Sequence, residues 1–145
     1  TDREGQIILK KYSPIGELNN FAEEYAEALV QTTGLTACIT DRDVVVAAAG
    51  SGSRELDGKE ISMELDEVIS GRETRLINGS SREDVSVTLG HKDSFTGKMI
   101  QPILCASDAI GSVILLGKSD KNVLGEKERA LVKTAASFLG RQMEQ

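Results

Sequence analysis

Met99-Ile100-Gln101-Pro102-Ile103-Leu104-Cys105-Ala106 and Ile110-Gly111-Ser112-Val113-Ile114-Leu115-Leu116-Gly117 are two apolar, strand-length runs separated only by Ser107-Asp108-Ala109. Runs of this length with so short a connector read as a β-hairpin turning at Ser107-Asp108. A hairpin is antiparallel, so its sheet is not the parallel sheet of a doubly wound α/β protein. Upstream, Leu35 to Thr40 and Val44 to Ala49 flank the charged turn Asp41-Arg42-Asp43 and predict a second hairpin. Arg72 to Leu76 reads as a short strand. Val85, Val87 and Leu89 alternate with Ser86, Thr88 and Gly90, the pattern of a half-exposed strand.

Helices enclose these strands in the sequence. Ser13-Pro14 is a helix start, Ser as N-cap and Pro at the first helical position, where no N–H is needed. Ile15, Leu18, Phe21, Ala22, Tyr25, Ala26, Leu29 and Val30 then recur at helical spacing until Gly34 stops the helix. Ile61, Leu65, Val68 and Ile69 mark a shorter amphipathic helix ending at Gly71. A long helix over 124–143 follows, with Gly125 at its N-cap and Glu126 and Glu128 at the positive end of its dipole. At ~100° per residue the apolar arc of the first helix is roughly 200° wide and that of the last roughly 160°. Both exceed what one buried stripe needs. The order predicts an α+β domain, an antiparallel sheet with the terminal helices packed together on one face.

Composition bounds the function. A length of 145 residues fits one domain, and 39% apolar with 28% charged residues is an ordinary globular balance. With 17 basic and 23 acidic residues the net charge is −6, which argues against stand-alone nucleic-acid binding. The longest apolar runs are far short of the ~20 residues of a spanning helix, and no basic start leads into an apolar leader. No membrane contact is therefore expected. Cys38 and Cys105, 67 positions apart in apolar stretches, fit a reduced cytoplasmic interior better than a disulfide framework.

Candidate chemistry is thin. The loop Gly50-Ser51-Gly52-Ser53 with Gly58-Lys59 resembles a phosphate-binding loop only loosely: five residues separate Gly52 from Gly58, and Glu60 stands where a hydroxyl ligand belongs. Cys38, Cys105 and His91 are too few and too scattered for a structural zinc site. His91-Lys92-Asp93-Ser94 lie side by side in one loop and so do not form a triad, which is defined across a fold. Asn78-Gly79-Ser80 matches a glycosylation sequon that a cytoplasmic chain would not have modified. No catalytic residue, metal or cofactor is expected.

The chain nonetheless carries a family signature. Glu4-Gly5-Gln6-Ile7-Ile8-Leu9-Lys10-Lys11-Tyr12-Ser13-Pro14-Ile15 resembles the junction between the swapped-hairpin, AbrB-type DNA-binding domain and the GAF domain in the stage V sporulation protein T family. The likeness continues through Phe21 to Ala26, Ile39 to Val44, Asn78-Gly79, Ile110 to Ile114 and Ala135 to Gln145. The stretch Gly90 to Lys98 looks longer than the family pattern, and no functional residue is placed there. The resemblance implies a GAF domain over 13–145, with an antiparallel sheet of five to six strands. Residues 1–12 would be the tail of the DNA-binding domain and its linker. Gln6 to Lys10 is accordingly expected to lie outside the core of this domain.

The expected function is a regulatory domain of a sporulation transcription regulator, sensing a small-molecule effector and assembling the protein. DNA would be bound only through the preceding domain. The other function weighed is a small GAF-type cysteine redox enzyme such as a methionine sulfoxide reductase, against which both cysteines' aliphatic surroundings argue. The wide helical arcs predict self-association into a dimer or tetramer through Phe21, Ala22, Tyr25, Ala26, Leu131, Ala135 and Phe138. A ligand pocket is expected on the sheet face away from the terminal helices, under loop 50–60 and helix 61–70. Its polar groups would be Ser51, Ser53, Thr88 and Gln101. Few aromatics and no tryptophan make a cyclic nucleotide a poor fit.

Overall fold

The computed structural model describes residues 14–77, 85–90, 93–118 and 124–144, with 14–20 described as backbone only. The arm over 1–12, the N-cap Ser13, the sequon and His91 lie outside the described residues. Among those described, three helices and five strands follow in the order α1 (Pro14–Thr33), β1 (Thr36–Thr40), β2 (Val45–Ala49), α2 (Met63–Gly71), β3 (Arg75–Ile77), β4 (Gly97–Cys105), β5 (Asp108–Gly117) and α3 (Glu126–Met143). The strands form one antiparallel sheet ordered β2-β1-β5-β4-β3.

The β4–β5 hairpin is the longest pairing, running from Gly97 opposite Gly117 to Cys105 opposite Asp108. Its turn is Ala106-Ser107, one residue earlier than the sequence indicates. Both residues adopt positive φ, 51° and 77°, as the two-residue loop matched to strand twist demands. Asp108 is therefore already in β5. The β1–β2 connection is fixed by Asp41, whose Oδ1 accepts the backbone N–H groups of Asp43 and Val44 at 2.6 and 2.7 Å. Between them, Arg42 reaches across to Asp66 on α2 at 2.8 Å, Ser70 at 2.7 Å and the carbonyl of Ala109 at 3.0 Å. The charged turn thus binds α2 to the sheet.

Strand alternation sorts the sheet into two apolar layers. Ala37, Ile39, Val113, Leu115, Met99 and Ile103 face α1 and α3, where they meet Ala22, Ala26, Leu29, Val132, Ala135 and Leu139. Cys38, Ile114, Leu116 and Ile100 face the other way, against Leu65, Val68 and Ile69 of α2 and against Leu56, Val85, Val87 and Phe95. Every residue of β5 from Gly111 to Gly117 is buried, since both faces are covered.

One expected strand is absent. Val85 and Val87 are buried, but the segment makes only an isolated bridge, Ile61 to Thr88, and Leu89 is exposed. It lies across the second layer instead of joining the sheet. Ser62 holds it there, accepting Leu65 N–H as the N-cap of α2 while its hydroxyl donates to Ser86 O.

Candidate functional site

The expected pocket residues do not converge. Ser51 is exposed, and its carbonyl accepts the Thr36 hydroxyl at 2.7 Å. Ser53 opens a single 3-10 turn, Ser53–Glu55, after Gly52 at φ 81°. Gln101 sits between Met99 and Ile103 on the α1/α3 side of the sheet, across from loop 50–60, where its Oε1 accepts the Thr74 hydroxyl. The sheet face under α2 is filled by the aliphatic layer around Leu56, Leu65 and Ile69. Hollows remain at the rim of that side, among them one of about 590 Å³ between α2 and β3, lined by Glu64, Glu67, Thr74 and Arg75, and one of about 380 Å³ lined by Glu55, Lys59, Glu60, Thr88 and Leu89. Thr88 is 2% exposed, and its hydroxyl has no hydrogen-bond partner. A buried hydroxyl with no partner carries an uncompensated desolvation cost.

The assembly residues separate into two groups. Ala22, Ala26 and Ala135 are fully buried in the protomer's own core, where they let the terminal helices approach the sheet; they are not on a surface. Phe21, Tyr25 and Phe138 lie outside it, with Phe21 37% and Phe138 39% exposed. Phe21 and Phe138 stack edge to face with centroids 6.1 Å apart, and Tyr25 tilts against Phe138 at 5.6 Å. The three rings form a half-exposed cluster across the α1–α3 seam, while half-buried Leu131, two turns before Phe138 on α3, packs with Tyr25 against the edge of the core.

Sequence reasoning missed the buried polar group on the second face. Lys98 and Asp93 are both fully buried and pair at 2.9 Å. Lys98 Nζ also donates to Val85 O at 2.5 Å, and the Asp93 carboxylate accepts Val87 N–H at 3.1 Å and Phe95 N–H at 3.3 Å. The pair ties Val85, Val87 and Phe95 to β4. It falls in the stretch set aside as longer than the family pattern. The cysteines are separated by the sheet, Cys38 on the α2 side and Cys105 against the α1/α3 side. Burial pushes the Cys38 thiol well above its ordinary range, with Asp93 adding to the effect and Lys98 opposing it. The Cys105 thiol is also raised, by burial and then by Glu144 and Asp108. Among the described residues no group of three or more His, Cys, Asp or Glu is placed to hold a metal ion, and no helix is long and apolar enough to cross a membrane.

This arrangement, helices α1 and α3 on one face of a five-stranded antiparallel sheet with α2 on the other, is the GAF fold. The GAF domain of an Acinetobacter phosphoenolpyruvate-protein phosphotransferase superposes with a TM-score of 0.73 at 11% identity, covering 87% of this chain and 81% of that one. The type II free methionine-R-sulfoxide reductase of Thermoplasma acidophilum superposes at 0.71 with 8% identity, covering 90% and 95%. A family model described as the C-terminal part of stage V sporulation protein T, a transcription factor, matches residues 17–144. Stage V sporulation protein T of Bacillus subtilis is 41% identical over 144 residues, 99% of this chain and 79% of the relative. The chain belongs to the stage V sporulation protein T family.

Proposed function

We propose that this chain is the regulatory and assembly domain of a sporulation transcription regulator of the cytoplasm, pairing with a second copy through the outer flank of α1 and α3. The observation that carries the reading is the aromatic cluster of Phe21, Tyr25 and Phe138. Large rings held half-exposed and mutually stacked are the composition of an interface centre, not of a solvated flank. Pairing would bring two DNA-binding domains to one symmetric site, which suits an acidic domain that does not itself bind DNA. Sedimentation velocity at micromolar concentration tests it. The unaltered protein is expected to sediment as a dimer or tetramer, and Phe21→Ala/Phe138→Ala to dissociate with little loss of Tm. An unaltered protein that remains monomeric overturns the reading.

An effector belongs to the same proposal, and its place is the hollow at Thr88. The hollow is lined by one ammonium and two carboxylates over the buried, unpartnered Thr88 hydroxyl, which a ligand would reach only by a small shift of the rim, and this lining favours a small polar molecule. Catalysis is no part of the reading. Cys38 is sealed and held protonated, and Cys105 lies on the other side of the sheet, so the two thiols are not placed to act as a redox couple.

A further inference from the structure

We infer that the groove between α3 and β4 is a second ligand site, one that takes a small organic anion. The groove encloses about 270 Å³, just below the ~300–1,000 Å³ typical of ligand pockets, so its ligand is small. Phe138 is not among its lining residues. Lys133, Ser137 and Arg141 succeed one another at four-residue steps along α3, so the two cations stand about 12 Å apart along the helix with a hydroxyl midway. Gln101 faces them from β4. Its Oε1 accepts the Thr74 hydroxyl, and Nε2 donates one of its two hydrogens to Pro102 O at 3.2 Å.

The groove therefore offers its centre donors and positive charge: an amide N–H, a hydroxyl, an ammonium and a guanidinium. Its one carboxylate, Glu144, lies one turn beyond Arg141, where its Oε2 accepts Ala106 N–H at 3.2 Å. Both Lys133 and Arg141 are exposed, and neither makes an ion pair with a described residue. In a chain of net charge −6, two uncommitted cations over a donor-lined hollow form a local reversal of sign. A planar guanidinium matches the oxygens of a phosphate or carboxylate two at a time, so the anionic head belongs against Arg141, Ser137 and Gln101. Leu104, half-exposed at the edge, offers apolar contact to the remainder of the molecule.

The test is a 15N-resolved NMR titration of the protein at constant ionic strength, with inorganic phosphate in one arm, citrate in a second and chloride in a third. Saturable shifts confined to Gln101, Leu104, Ser137 and Arg141 are expected with phosphate or citrate and not with chloride. The stronger of the two arms distinguishes a phosphoryl from a carboxylate ligand. Arg141→Ala is expected to weaken that binding by roughly tenfold, the loss of one hydrogen bond to a charged group. Lys127→Ala, on the first turn of the same helix, is expected to leave it unchanged. The inference is overturned by shifts that grow linearly without saturating, that spread over all surface lysines, or that persist undiminished in Arg141→Ala. The assembly reading is untouched by any of these outcomes, because Phe21 and Phe138 lie outside the groove.

Discussion

Lys98 stands in the interior of β4 with its ammonium entirely out of water, held by Asp93 and the carbonyl of Val85. Removing one member of such a pair leaves the other charge buried and uncompensated, which costs about 3–5 kcal/mol. Asp93→Ala is therefore expected to lower the urea-unfolding free energy by that order, and also frees the N–H groups of Val87 and Phe95. Adding Lys98→Met in the same chain is expected to recover part of the loss; a double variant less stable than Asp93→Ala would contradict the account. This pair was not legible in the sequence. Lysine is rarely buried, and its partner sits five positions back in a polar stretch that reads as solvated loop.

Cys38 carries a second prediction at the same scale. Its thiol pKa is raised in the folded chain, so the folded state holds its proton more tightly than the unfolded state does. The associated stability is complete below the unfolded value of about 8.5 and declines as pH rises above it. One such group changes the free energy by at most about 1.4 kcal/mol per pH unit. Unfolding curves between pH 8 and 10 should show this alkaline decline, and Cys38→Ala should make it shallower. Ellman's reagent on the native protein should label Cys105 well before Cys38; the reverse order would place Cys38 wrongly.

At the scale of elements, α3 approaches the sheet through Gly140. A Cβ there would come within 2.1 Å of the Leu104 carbonyl oxygen, so only a bare backbone fits. Gly111 is as constrained on β5, with the Thr40 carbonyl oxygen 2.0 Å from where its Cβ would be. Gly140→Ala must push helix from sheet, and overpacking of this kind costs about 1–3 kcal/mol. A fall in Tm of at least about 3 °C is expected by calorimetry. No change in Tm would mean that α3 does not pack this closely. The helices and the two hairpins were readable because periodicity and turn residues are local signals. Residues 85–89 misled for the same reason: their alternation is real, with Val85 and Val87 inward, but they bury against the second layer and not in a ladder. Gln101 went to the wrong side because its face depends on the register of β4, which the turn at Ala106-Ser107 fixes.

For the whole molecule, the wide apolar arcs of α1 and α3 have two causes that the sequence alone merges. Ala22, Ala26 and Ala135 serve the protomer's own core, while Phe21, Tyr25 and Phe138 are left at its surface. The interface expected of this domain is consequently aromatic and narrower than the arcs indicate. The most direct measurement of that claim is an isotope-filtered NOE experiment on a sample mixed from labelled and unlabelled chains, which detects contacts between chains only. Cross-chain NOEs are predicted from the rings of Phe21, Tyr25 and Phe138 and from the methyl groups of Leu131. Their absence, or their appearance instead at Leu76 on the β3 edge or at Met63 and Leu89, would contradict it.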